Sequence, residues 1–504
     1  MKTIILGPPG TGKTTTLLDL VDEFIKSGVD TKRIGYFSFT KKAANEAKQR
    51  AVEKFGLDEK DFPYFRTLHS LAFGALGLSK SRVMQSADYK DFGNKCGIPI
   101  TIKKVYNSEE DGTFTSDNEY LQLIEKARAT DRDLMDVYDE NTHYLDIERD
   151  TLYLLDRELT RYKKEKGLID YGDMLHRFIV EDVAPGFTVL FIDEAQDLSP
   201  LQWKMVRALW SRADKTYIAG DDDQAIFRWA GADVDHFIAL RDEVDSIKVL
   251  DQSYRIPGGP IHELSQSIIQ RVENRYDKEY KPKSTTGKLN RYSDITQVDM
   301  SEGEWLVLAS ANYFLDDIKD LCELQGWYFS HKGRNSIPVD LLMAIQNWEA
   351  WRESEQELNL LQLKNLYSYL GDNVAKGYKK GKTFHSDFRY TSEQCVVEHG
   401  LQTRDVWYKA FAGLDTYREN YIRNMLANSE KITKPPRITM STIHGAKGGE
   451  ADNVLVLPDI TKTAVDNNDV DPDELHRLFY VAVTRAKQEL HILEPRNYER
   501  AYIL

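Results

Sequence analysis

The chain has 504 residues, more than one hydrophobic core holds, and domain-size statistics divide such a length into about three or four compact units. With 41% hydrophobic and 29% charged residues, no apolar run that could cross a bilayer and no signal-peptide cleavage site, it reads as a globular cytoplasmic protein; Cys96, Cys322 and Cys395 lie too far apart for a zinc or disulfide framework. A net charge of −14 weighs against a polyanionic partner, although a basic groove can coexist with acidic flanks.

The first segment, to about residue 75, alternates strand and helix. Strands are expected at Thr3 to Leu6 and Ile34 to Phe39, and amphipathic helices at Thr14 to Lys26 and Lys41 to Lys54. That alternation is the pattern of a parallel sheet. From 76 to 167 the strand signal fades, and NEYLQLIEKARA and ERDTLYLLDRELTRYKKEK carry helical apolar spacing. Strands return at Phe187 to Ile192 and Lys215 to Ala219, and a second α/β unit is expected from near Ile247, including Glu304 to Ala309. A second helical stretch, 331 to 436, precedes strands at Arg437 to Met440, Asn453 to Leu457 and Glu489 to Leu493. No solenoid repeat or low-complexity tract is present.

GPPGTGKT matches GxxxxGK[ST] in full between a strand and a helix, the context a phosphate cradle requires. Gly7, Pro8, Pro9, Gly10, Thr11 and Gly12 would wrap phosphates with backbone N–H groups, and the helix start at Lys13, Thr14 and Thr15 adds positive potential. Lys13 would reach the terminal phosphates and the Thr14 hydroxyl would hold Mg2+. VLFIDEAQD is a buried-type strand ending in two acids: Asp193 is assigned to the metal and Glu194 to polarising the attacking water. A DE pair alone is ordinarily a solvated turn; downstream of a complete phosphate loop that reading loses its force.

Six further segments set the class: FSFTKKAANEAKQR, RTLHSLAF, GDDDQAIFRWAGA, LDQSYR, MSTIHGAKGGEADNV and RLFYVAVTRAK. Together with the phosphate and acid motifs they resemble, in order, the motif set of the UvrD/Rep-like superfamily 1A DNA helicases. The resemblance implies an α/β protein of two RecA-like P-loop motor domains with parallel sheets, each carrying a mainly helical insertion. The first motor domain would comprise 1–75 and 168–250 with insertion 76–167, and the second 251–330 and 437–504 with insertion 331–436. It also implies ATP hydrolysis between the two motor domains, coupled to 3′ to 5′ stepping on single-stranded DNA and to duplex unwinding. By the same resemblance Gln224 contacts the terminal phosphate, Arg255 and Arg485 are arginine fingers, Tyr254 stacks on the nucleotide base and Glu450 faces the ribose. Phe39, Thr40, His69, Trp229 and His444 match positions that touch the strand. Two alternatives stay open: a translocase that strips bound proteins without unwinding, and an ATP-switched binding module. Stacking reads a base face and not the sugar, so RNA stays open beside DNA and single-strand/duplex junctions, and replication or repair proteins are the expected partners.

The chain also departs from the pattern. No glutamine segment precedes the first strand, which loosens the expected selection of adenine. Ala230 stands where the family has arginine, with Arg228 two residues earlier, and Lys41 stands in place of asparagine. Little sequence follows VTRAK to form a strand-splitting hairpin, leaving Tyr498 and Tyr502 as candidate wedges. The basic clusters KEYKPK (278–283) and KGYKKGK (376–382) offer charge for duplex contact, but charge runs are usually solvated loops and that reading is favoured.

Overall fold

The computed structural model describes all residues except 101, 104–114, 117, 142–146, 354–355, 372–388, 432–433 and 469–470, so KGYKKGK lies outside the described residues. The chain forms two compact units, Met1–Arg291 with Thr442–Leu504, and Tyr292–Ser441. It is an α/β protein built on parallel sheets.

The first unit is organised by a six-stranded sheet in the order Phe65–Thr67, Ile34–Ser38, Phe187–Asp193, Ala213–Gly220, Lys2–Leu6, Ser246–Val249. All five pairings are parallel, and the register places Leu6 beside Gly220 and Ser38 beside Asp193. The strand ends that carry the phosphate loop and the acid pair therefore open on the same edge, where ligands bind in open α/β sheets. Phe187–Asp193 is buried on both faces, which is why FTVLFID reads as a continuous apolar run rather than an alternating one. One correction follows: the strand at Ile247 does not begin a second unit but pairs with Lys2–Leu6 as the sixth strand of this sheet.

Between Thr67 and Asp170 the helices Ser86–Cys96, Glu119–Thr130, Leu134–Asn141 and Arg149–Lys166 enclose their own apolar core of Met84, Tyr89, Phe92, Leu121, Leu152 and Leu159. Asp170 ties this group to the sheet. It caps the helix Tyr171–Val180 by accepting from Asp173 N at 2.8 Å, while Lys163 Nζ and Arg128 Nη1 each reach it at 2.5 Å. The remainder of the unit contains Gln252–Gly258 paired with Lys281–Thr286, and Ala451–Val456 paired in parallel with Ala486–Leu493. The helix Pro472–Val483 connects the latter two and is buried from Leu478 to Val483, so it holds its flanking arginines rigidly.

In the second unit Phe329–His331 pairs in parallel with Ile438–Thr442 and antiparallel with Arg334–Asn335, and Trp305–Ala309 is a fully buried strand. The helices Val339–Glu353, Leu360–Tyr369, Ser392–His399 and Thr416–Ala427 make the segment mainly helical. Trp348 and Trp351 anchor it: both are fully buried, and their indole N–H groups donate to Asp405 O at 2.8 Å and Tyr390 O at 3.0 Å.

Candidate functional site

The phosphate loop leaves the first strand at Gly7. Gly10 and Gly12 adopt positive φ, 73° and 79°, and a Cβ on Gly10 would lie 2.3 Å from Arg255 Cβ. Glycine is thus required there by both conformation and space. The helix Lys13–Lys26 starts without a side-chain cap and without an acid in its first turn, so its leading N–H groups stay open to an anion. Lys13 Nζ folds back to Gly7 O at 2.8 Å and makes no ion pair among the described residues.

Asp193 lies at the end of its strand with Oδ2 2.7 Å from the Tyr36 hydroxyl, which donates to it, and 3.3 Å from Thr14 Oγ1. Burial, then the adjacent Glu194 charge, raises the Asp193 carboxyl above its ordinary range. Burial presses on Glu194 in the same direction, but Lys13 and Lys447, with a hydrogen bond from Gln196, outweigh it and hold Glu194 ionised. Glu194 also sits in the left-handed region at φ 54°, a strained conformation for a residue with a side chain. The arrangement pushes the proton affinities of two adjacent carboxylates apart, one beside a hydroxyl and one aimed by an amide. A hydroxyl and a carboxylate side by side are hard oxygen donors of the kind a magnesium ion takes.

The loop is docked onto the Gln252–Gly258 strand: Ser253 Oγ donates to Pro9 O at 2.7 Å and Tyr254 N to Gly10 O at 2.9 Å. That pairing puts Arg255 against the loop, where its Nε donates to Glu450, and leaves the Tyr254 ring 72% exposed. From the other side, Arg485 Nη2 donates to Gln224 Oε1 at 2.8 Å and its Nε to Val481 O at 3.0 Å. Arg485 is 1% exposed and has no ion pair among the described residues; burial and the neighbouring Arg255 press against its charge.

Sequence reasoning missed the wiring between these groups. Lys447 Nζ bonds Asp197 at 2.6 and 2.7 Å and Gln224 O at 2.6 Å. Gln196 joins Glu194 at 2.7 Å to Asp197 at 3.1 Å and accepts from Asp221 N at 2.9 Å. A continuous polar chain therefore runs from Glu194 through Asp197 and Lys447 to Gln224 and Arg485. Lys278 is the largest correction: it is not a solvated loop residue. Its ammonium is fully buried among Asp221, Asp222 and Asp223 at 3.3, 2.6 and 2.8 Å, and Arg275 forks onto Asp223 at 2.8 and 2.7 Å. These three carboxylates could by spacing hold a metal, but the lysine already fills that position. The signal was present as three consecutive acids and a distant lysine, but nothing in the spacing joined them.

Phe39, His69 and Trp229 line one cavity of about 270 Å³. Phe227, itself 5.6 Å from Phe39, joins His444 and Trp229, whose rings lie 6.1 Å apart and perpendicular. Trp229 is 51% exposed, whereas the Thr40 hydroxyl is engaged in capping the helix Lys41–Phe55 through Ala43 N at 3.0 Å. Arg228 is paired with Asp471. Tyr502 is corrected as a wedge: it is buried, stacks on Phe479 at 4.4 Å and bonds His476 at 2.8 Å, while Tyr498 is exposed.

A glycine-rich loop, an acid pair and a buried arginine converging on one sheet edge define a P-loop nucleoside-triphosphate hydrolase site. The family described as the UvrD/REP helicase N-terminal domain matches residues 1–245, and the UvrD-like helicase C-terminal domain matches 437–493. The chain belongs to the UvrD/Rep-like helicases. Among its relatives is the "Probable DNA helicase II homolog" of Mycoplasma pneumoniae, 22% identical over 97% of this chain and 81% of that protein. ATP-dependent DNA helicase Rep of Buchnera aphidicola is 22% identical over 55% of this chain and 42% of its own length. ATP-dependent DNA helicase PcrA of Staphylococcus aureus is 24% identical over 59% of this chain and 42% of its own length. The chain thus spans less than half of the latter two. No helix among the described residues is long and apolar enough to cross a membrane.

Proposed function

We propose that the protein is an ATP-dependent DNA helicase that steps 3′ to 5′ on single-stranded DNA and opens duplexes at single-strand junctions. One observation carries the reading: Arg485 is buried beside the phosphate loop, and among the described residues Gln224 is its only side-chain hydrogen-bond partner and no carboxylate pairs with it. An unneutralised buried cation is costly, and an incoming triphosphate removes that cost. In this reading Lys13, the loop N–H groups and Arg255 hold the phosphates, and Arg485 and Gln224 meet the terminal one. Thr14 and Asp193 would hold Mg2+, whose charge neutralises phosphate oxygens. Glu194, ionised and aimed by Gln196, orients water for in-line attack. Tyr254 offers an exposed ring to the base, and Glu450 turns from Arg255 to the ribose. The chain from Glu194 to Lys447 and Gln224 lies next to Phe227 and Trp229, since Lys447 Nζ sits 5.0 Å from the Phe227 ring centre. Loss of the terminal phosphate is thereby felt by the proposed strand contacts Phe39, Thr40, His69, Trp229 and His444.

The domain division proposed with this function is two motor domains, 1–75 with 168–250 and 251–330 with 437–504, carrying insertions 76–167 and 331–436. The test is strand release from forked duplexes with 3′ or 5′ tails, followed alongside ATP hydrolysis on single-stranded DNA and RNA. Release from 3′-tailed forks alone is expected. Hydrolysis on single strands without release from either fork would leave translocation without unwinding, and no stimulation by any strand would refute the motor.

A further inference from the structure

The strand Ile34–Ser38 is buried at every position, yet it carries a phenol at its centre. Packing alone asks only for the ring: Tyr36 has no solvent exposure and stacks on Phe65, with centroids 5.0 Å apart and planes 16° from parallel. A buried hydroxyl is costly unless it finds a partner, and phenylalanine would fill the same space without that cost. The partner here is the neighbouring strand's Asp193, whose Oδ2 accepts from the Tyr36 hydroxyl at 2.7 Å. Ser38, two residues on and so on the same face, is in register with Asp193, but its hydroxyl has no hydrogen-bond partner among the described residues.

Three donors surround the Asp193 carboxylate. Tyr36 and Thr14 reach Oδ2 at 2.7 and 3.3 Å, and the Glu194 N–H reaches Oδ1 at 3.0 Å. Thr14 is itself a proposed ligand of the ion, and the Glu194 N–H holds the other oxygen. Tyr36 is therefore the side chain that fixes Oδ2 without being needed by the ion. An ion with strict octahedral demands is served by a carboxylate whose plane is set before it arrives. Resting on the reading of Thr14 and Asp193 as the Mg2+ site, we propose that Tyr36 is a positioning residue. Its hydroxyl holds the Asp193 carboxylate in the orientation from which the site takes its divalent ion, and so sets how tightly that ion is held with the nucleotide.

The experiment is Mn2+ binding to the full chain with a non-hydrolysable ATP analogue, counted by electron paramagnetic resonance, for wild type, Tyr36→Phe and Ser38→Ala. Mn2+ stands in for Mg2+ as an ion taken by the same oxygen ligands. Affinity for the metal-free analogue is measured in EDTA on the same samples. Tyr36→Phe keeps the ring on Phe65 and removes one oxygen. Its Mn2+ dissociation constant is expected to rise about tenfold, the scale of losing one partner of a ligating side chain, while its metal-free affinity changes by less than about twofold. Ser38→Ala, which takes a hydroxyl from the same face without breaking a bond to Asp193, is expected to leave both quantities near their wild-type values. An unchanged Mn2+ constant in Tyr36→Phe, an equal loss in Ser38→Ala, or a matching loss of metal-free binding overturns the proposal while leaving the metal site intact. A wild-type protein that takes up no Mn2+ with the analogue would sink the site itself, and this inference with it.

Discussion

Replacing Lys278 by methionine removes the only ammonium from a pocket that contains three carboxylates. In the native protein Asp222 and Asp223 are paired with it at 2.6 and 2.8 Å, Asp221 at 3.3 Å, and the lysine side chain has no solvent exposure. Arg275 still neutralises Asp223 in the variant, and Asp222 keeps the Tyr276 N–H at 2.7 Å, so about one buried charge is left without a partner. Breaking a buried pair in this way costs about 3–5 kcal/mol. For a unit this large, each kcal/mol moves the midpoint by about 2 °C, so a fall of about 6–10 °C is expected by scanning calorimetry. Because the same turn presents Gln224, ATP hydrolysis should fall as well. The combined variant Lys278→Met with Asp222→Asn should recover more than half of the lost stability, since the unpaired charge goes with Asp222 while Arg275 keeps Asp223. A shift under about 2 °C for Lys278→Met, or a combined variant no better than the single one, would refute the charge argument.

Three more outcomes are expected. Trp229→Ala should weaken single-stranded DNA binding by about 1–3 kcal/mol, the worth of one stacked base, as measured by anisotropy at fixed salt, with hydrolysis in the absence of DNA little changed. Lys447→Met takes its ammonium partner from the buried Asp197 and breaks the link to Gln224, so DNA-stimulated hydrolysis should fall by at least about tenfold while nucleotide affinity, measured by calorimetry, changes less. Glu125, raised to about 8 by burial, keeps its proton when folded but loses it near pH 4 when unfolded, so its contribution to stability is present below that lower value and declines as pH rises towards 8. Denaturant titrations should therefore show Glu125→Gln gaining stability relative to wild type between pH 5.5 and 8.5; parallel curves would contradict the assignment.

Much of this molecule was legible in its sequence because local chemistry and tertiary role coincide. The apolar run ending in Asp193 and Glu194 is a strand buried on both faces, and GPPGTGKT needs its glycines for reasons a single turn supplies. The helices at 119–130 and 149–166 followed from apolar spacing. What was not legible depends on contacts between distant segments. Ile247 looked like the start of a new unit because sheet order is not written in chain order. Lys278 looked solvated because its three partners lie more than fifty residues earlier, and Tyr502 looked like a free aromatic until Phe479 and His476 enclosed it. Lys447 and Gln196 carry no local signature of the chain they complete between Glu194 and Arg485.

The most direct test of the central claim is the rate of phosphate release after rapid mixing with MgATP, with and without single-stranded DNA, for wild type, Lys13→Ala and Arg485→Ala. Nucleotide binding and thermal melting would be recorded for the same samples. Strand-dependent release by the wild type is expected, abolished in Lys13→Ala and lowered by about 10³ or more in Arg485→Ala while that variant still folds and binds nucleotide. A folded Arg485→Ala protein that releases phosphate at the wild-type rate would contradict the account.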